Sequence, residues 1–151
     1  MVALSCFVRA QNPLAGMTTM KGDGVGTSTC AAAGCAGTGT LRGDPMGQAD
    51  FQFTFIADLG FPDNCGFGRG NLTITSADGS TITAAINGSG CNTQPTPASS
   101  AIQNLAYEIQ SGTGGFAGVN GTGNFVIDRI TPNGVPGPTY VHLDGNIVFT
   151  H

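Results

Sequence analysis

Tryptophan is absent, glutamate occurs once, and lysine and arginine together number 5 in 151 residues. Charged residues make up 9% of the chain, against about 25% in ordinary soluble domains. A nucleic-acid binder of the electrostatic kind needs a Lys/Arg stripe to displace counterions from phosphates, and a net charge of −4 leaves too little for one. The same shortage argues against docking on anionic membranes. No apolar run reaches the roughly 18 residues that cross a bilayer, so no membrane span is expected.

Catalytic and cofactor signatures are also missing. No Cys-x-x-Cys occurs, and neither His142 nor His151 lies near a cysteine. That removes the spacings of a structural zinc or thioredoxin-like site, and neither a metal nor a cofactor is expected. There is no Gly-x-Ser-x-Gly elbow for Ser-His-Asp hydrolysis. The glycine-rich stretch 22–26 (GDGVG) is followed by neither the lysine nor the helix of a phosphate loop. At the N-terminus Val2–Val8 is apolar but short, lacks a preceding basic residue and runs into Arg9, which is not the layout of a signal peptide. The low-charge, Thr/Asn/Gly-rich composition still reads as secreted, with a signal already removed.

What the chain has in quantity is glycine (25), proline (8) and phenylalanine (9), within 40% hydrophobic residues. That hydrophobic share is too high for disorder, and the glycines follow no collagen period. They punctuate runs that alternate with period two, the pattern of half-buried strands. Residues 48–57 (QADFQFTFIA) put Phe51, Phe53 and Phe55 on one face and Asp50, Gln52 and Thr54 on the other. Further strands are expected at 69–76, 80–87, 103–110, 122–130 and 139–149. Weaker ones are expected at Val2–Val8, 22–29 and 36–42, and a loop at 96–101 (TPASSA). The length suits one domain, 1–151, with 1–9 as a strand or arm. Strands with one apolar face each are expected to close into an all-β, antiparallel, roughly eight-stranded barrel, because closure removes unpaired edges.

The turn at Ala77-Asp78-Gly79 sets a register. A two-residue loop would oppose Ile74 and Thr83 and mix the faces. A three-residue loop with Gly79 left-handed opposes Ile74 to Ile82, Leu72 to Ala84, Thr73 to Thr83 and Thr75 to Thr81, leaving each face uniform. It also sets Cys65 against Cys91. In an oxidising compartment the expected disulfides are Cys65–Cys91 and Cys30–Cys35, with Cys6 left over. The short Thr-x-Thr ladder has too few rungs for an ordered-water surface and suits an exposed strand face.

Residues 107–123 (YEIQSGTGGFAGVNGTG) resemble the Tyr, Ile, Gly-Thr-Gly, Phe-Ala-Gly, Gly-x-Gly pattern of a group of bacterial secreted proteins. Cys65-Gly66, Gly68, Gly70, the run 72–83 (LTITSADGSTIT) and the closing DGNIVF (144–149) look like other parts of that pattern. The resemblance implies an eight-stranded barrel similar to allene oxide cyclase and dirigent proteins, which bind an apolar, reactive molecule inside the barrel without metal or nucleotide. Gly115 stands where many members carry an arginine, and no catalytic residue is carried over.

The expected interior is lined by Phe51, Phe53, Phe55, Leu72, Ile74, Ile82, Leu105, Tyr107, Ile109, Phe125 and Ile127. Arg129 shares a face with Phe125 and Ile127. It reads either as a guanidinium for an anionic ligand or as a rim arginine whose stem packs and whose head reaches water. Tyr107 can offer its hydroxyl to a ligand carbonyl, although a core tyrosine with a satisfied hydroxyl is the commoner case. Glu108 alternates outward. His142 has Asp144 two residues away as the nearest partner for acid–base work. The expected ligand-binding set is Phe51, Phe53, Phe55, Leu72, Ile74, Tyr107, Phe125 and Arg129. The expected function is binding of a hydrophobic small molecule, extending to cofactor-free cyclisation. The alternative is an extracellular structural protein that self-associates, Val2–Val8 adding to a neighbour's sheet.

Overall fold

A chain that alternates apolar and polar residues must bury one face of every strand, and a ring does so without leaving an edge. The computed structural model describes residues 16–31, 34–58, 65–92, 98–132 and 135–150. They form eight antiparallel strands: β1 (Met17–Ala31), β2 (Gly34–Asp44), β3 (Gly47–Asp58), β4 (Cys65–Ser76), β5 (Thr81–Asn92), β6 (Ala98–Gly112), β7 (Val119–Pro132) and β8 (Gly137–Phe149). Each pairs with its neighbour in sequence and β8 returns to β1, closing the barrel. Among the described residues the one departure from strand and turn is a 3-10 turn, Gly114–Phe116. The expected all-β closed barrel is the observed fold.

The strands outrun the expected runs. β1 and β2 are full staves, and β6 starts at Ala98, so 98–101 is strand where a loop was expected. Val2–Val8, the arm 1–9 and Cys6 lie outside the described residues.

The Asp78-Gly79 turn has the expected register, with Ile74 opposite Ile82, Leu72 opposite Ala84 and Thr73 opposite Thr83. Gly79 adopts φ +83°, a left-handed conformation that glycine reaches without penalty. The Ser76 N–H donates to the Ser80 carbonyl at 2.9 Å, closing the hairpin. Cys65 and Cys91 stand opposite each other in the same ladder; the disulfide expected there concerns side chains outside the described ones. Cys30 and Cys35, opposed across β1 and β2, form a disulfide.

Inward positions are filled by pairing large side chains with glycines. Phe53 stands opposite Gly37, Phe51 opposite Gly39, Phe55 opposite Gly70 and Leu105 opposite Gly88. A Cβ on Gly37 would collide with the Phe53 ring. This large-against-small alternation lets a narrow barrel accommodate aromatic rings. Phe51, Phe53 and Phe55 stack at 6.2 and 6.1 Å between centroids, and Phe125 meets Phe53 edge-on at 6.0 Å. The eleven residues expected inside are all buried.

The two ends differ. At one, three tight connections fold over the barrel and bury Met46, Phe116 and Val119. One of these connections is latched. Ser80 donates to Asp78 through its backbone N–H at 2.9 Å and its hydroxyl at 3.0 Å, while the Gly115 N–H donates to Ser80 Oγ at 2.9 Å. The Ser80 donors hold the Asp78 carboxyl below its ordinary range. The connections β1–β2, β3–β4, β5–β6 and β7–β8 lie at the other end.

Candidate functional site

The second end of the interior is polar along one arc. Gln103 on β6, Arg129 on β7, Thr139 on β8 and Ser28 on β1 point inward from consecutive strands, and all are buried. Period two places them there: Gln103 continues the face of Leu105 and Tyr107, Arg129 that of Phe125 and Ile127, and Thr139 that of Val141 and Leu143. Register then draws them together. Arg129 stands opposite Thr139, and Gln103 opposite Ile127, one inward step from Arg129. Ser28 Oγ and Thr139 Oγ1 share a hydrogen bond.

One member of this collar is buried at a cost. Arg129 is 7% exposed and Gln103 6%. Burial pulls the Arg129 guanidinium below its ordinary range, yet an arginine stays cationic at neutral pH. The Gln103 side chain packs on Gly90, and its Oε1 has no hydrogen-bond donor within reach. A buried acceptor left unmade costs about 1–3 kcal/mol. Arg129 is buried, so it is not the rim side chain reaching water.

The opposite arc at this end is aromatic and small. It comprises Phe55, the Cys30–Cys35 disulfide, Gly37 and Gly68, with Phe53 and Phe125 further in. A guanidinium, an amide and two hydroxyls thus confront phenyl rings across the barrel. Such a lining suits a molecule with an apolar body and a head that can both accept and donate hydrogen bonds.

Phe51, Phe53, Phe55, Leu72, Ile74, Tyr107 and Phe125 all lie in the core with Arg129. Tyr107 packs its hydroxyl closely against Gly145, and that hydroxyl has no hydrogen-bond partner. Burial, helped by the charge of Asp144, pushes its pKa up to about 12. The satisfied core hydroxyl expected as the commoner case is not what is found. Glu108 is exposed, as expected.

His142 corrects another expectation. Its Nδ1 lies 2.7 Å from Oδ1 of Asp23, directly across the β1–β8 ladder, and Asp144 is not its partner. Both residues face outward. The threonine ladder is wider than the sequence suggested, running Thr27, Thr38, Gln52, Thr73, Thr83 over five strands. Those strands curve around a closed barrel, so the row forms no flat array. Among the described residues no group of three or more His, Cys, Asp or Glu side chains is placed to hold a metal ion.

Comparison with family models, curated proteins and solved structures finds no match.

Proposed function

We propose that the protein binds an apolar small molecule inside the barrel, with a carboxylate or hydroxyl head at the collar of Gln103, Arg129, Thr139 and Ser28. The observation that carries the reading is the buried acceptor Gln103 Oε1, left without a donor at the polar end of a barrel otherwise lined by aliphatic and aromatic side chains. Burying an amide acceptor without a donor is costly to stability, and the cost is recovered when a ligand hydroxyl or carboxylic acid supplies that donor. Phe53, Phe55 and Phe125 would hold the body. The resemblance to allene oxide cyclase and dirigent barrels extends this to conformational control: a walled, dry interior holds a flexible chain near a cyclisable shape, a proximity effect needing no acid or base. An extracellular, oxidising setting belongs to the same reading and is supported by the Cys30–Cys35 disulfide.

Assembly by strand donation is the competing reading. It needs an acceptor edge on the neighbouring copy, and the closed ring pairs every described strand on both sides. The closure favours the ligand.

The test is titration with a fluorescent medium-chain carboxylic acid, displaced by unlabelled decanoic acid. Saturable one-to-one binding is expected, weakened about tenfold or more in Arg129→Gln and Gln103→Leu, since a charge-assisted hydrogen bond is worth roughly 1.5–3 kcal/mol. Binding that is unsaturable, or indifferent to both substitutions, overturns the reading.

A further inference from the structure

Hydrogen-bonding side chains also gather outside the barrel, on the wall formed by β8, β1, β2 and β3. His142, Asp23, Arg42 and Gln48 face one another in register across these four strands, at strand spacings of about 4.8 Å. One outward step along, Tyr140 stands opposite Val25, and each is 56% exposed. A shallow, open depression of about 480 Å³ spans both rows, lined by Asp23, Val25, Arg42, Gln48 and Tyr140.

The chemistry of this depression is specific. The His142 ring holds Asp23 through one oxygen, leaving Oδ2 available. Among the described residues no side-chain hydrogen bond engages the Arg42 guanidinium, the Gln48 amide or the Tyr140 hydroxyl. Asp23 and Arg42 cancel in charge, so the lining offers no net attraction to an ion. What remains is an exposed aromatic face flanked by a planar acceptor, a planar donor and an amide that does both. Tyr140 and Val25 form an aromatic–β-branched cross-strand pair, which here presents an apolar platform beside those groups.

We propose that this depression binds a neutral saccharide. The C–H face of a pyranose ring stacks on Tyr140 and Val25. Its neighbouring hydroxyls donate to Asp23, accept from Arg42 and do both with Gln48. The depression is separate from the barrel interior and does not depend on the ligand reading given above.

The experiment is an amide-resolved NMR titration of the full chain with cellobiose, lactose and mannobiose, each in turn. At least one is expected to bind saturably in the millimolar range or tighter, shifting amides around residues 23–25, 40–42, 48 and 140–142. Tyr140→Ala should weaken that binding about tenfold or more, and Asp23→Asn should weaken it too, while Tyr140→Phe retains it. Because all these positions are exposed, the variants should keep the wild-type spectrum elsewhere. The proposal is overturned if none of the three sugars shifts this wall, if the shifts map to the barrel interior, if the wall's amides respond to protein concentration alone, or if Tyr140→Ala binds within twofold of wild type.

Discussion

The ring of Tyr107 crosses Gly123 and brings its hydroxyl against Gly145, glycines that follow it in register on β7 and β8. A Cβ on Gly123 would lie 2.6 Å from a Tyr107 ring carbon, and one on Gly145 would meet the hydroxyl itself. The tyrosine and the two glycines therefore form one packing unit. Gly145→Ala is expected to destabilise the barrel by about 1–3 kcal/mol, the range for overpacking. Tyr107→Phe should restore only part of that loss, because the Thr122 carbonyl also crowds the site at 2.5 Å. Tyr107→Phe alone should be neutral or mildly stabilising, since the hydroxyl it removes is buried without a partner. Urea midpoints of the three variants measure this.

The same tyrosine sets an alkaline limit. Its pKa is pushed up to about 12 from 10.0, so below pH 10 the phenol is neutral in both folded and unfolded chains. Between pH 10 and 12 the unfolded chain releases the proton while the folded chain keeps it, and stability falls across that window. Thermal midpoints should decline there in the wild type and decline less in Tyr107→Phe.

Gly37 and Phe53 should couple energetically. Gly37→Ala places a methyl into the Phe53 ring and is expected to cost about 1–3 kcal/mol. Phe53→Leu opens a space at its own expense, but the double variant should lie above the sum of the single effects. A double-mutant cycle by denaturant unfolding reads the coupling as at least about 0.5 kcal/mol.

Ser80 ties the β4–β5 turn to the 3-10 turn. Ser80→Ala leaves the Gly115 N–H without its acceptor and removes the hydroxyl donor to Asp78, while the backbone N–H at position 80 still holds the other oxygen. A loss of about 1–2 kcal/mol is expected, with faster amide exchange confined to residues around 78–80 and 113–116.

How legible the fold is in the sequence depended on what each strand puts inside. β3 is plain because Phe51, Phe53 and Phe55 alternate with polar residues. β1 and β2 are faint because their inward positions include Gly22, Gly24 and Gly26, and Gly37, Gly39 and Gly43, whose space is taken by the neighbour's rings or backbone. A glycine that is inward for lack of room carries no hydrophobic signal. β6 hid its start in the small residues at 98–101, and near its end Gln110 is an extra residue against β5, between Ile109 opposite Ala84 and Ser111 opposite Thr83, a bulge that breaks the period. Arg129 was readable as inward from its phase with Phe125 and Ile127. Ser28 and Thr139, as ordinary strand residues, gave no sign of joining it. The His142–Asp23 pair joins the first and last strands, so it depends on the register of barrel closure, which no local pattern encodes.

The most direct measurement of the central claim is isotope-filtered NMR of the protein with decanoic acid. The account predicts nuclear Overhauser contacts from the ligand's methylenes to the Phe53, Phe55 and Phe125 rings, with its carboxyl end at Arg129 and Gln103. Contacts confined to the outer surface, or none at a ligand excess, would contradict it.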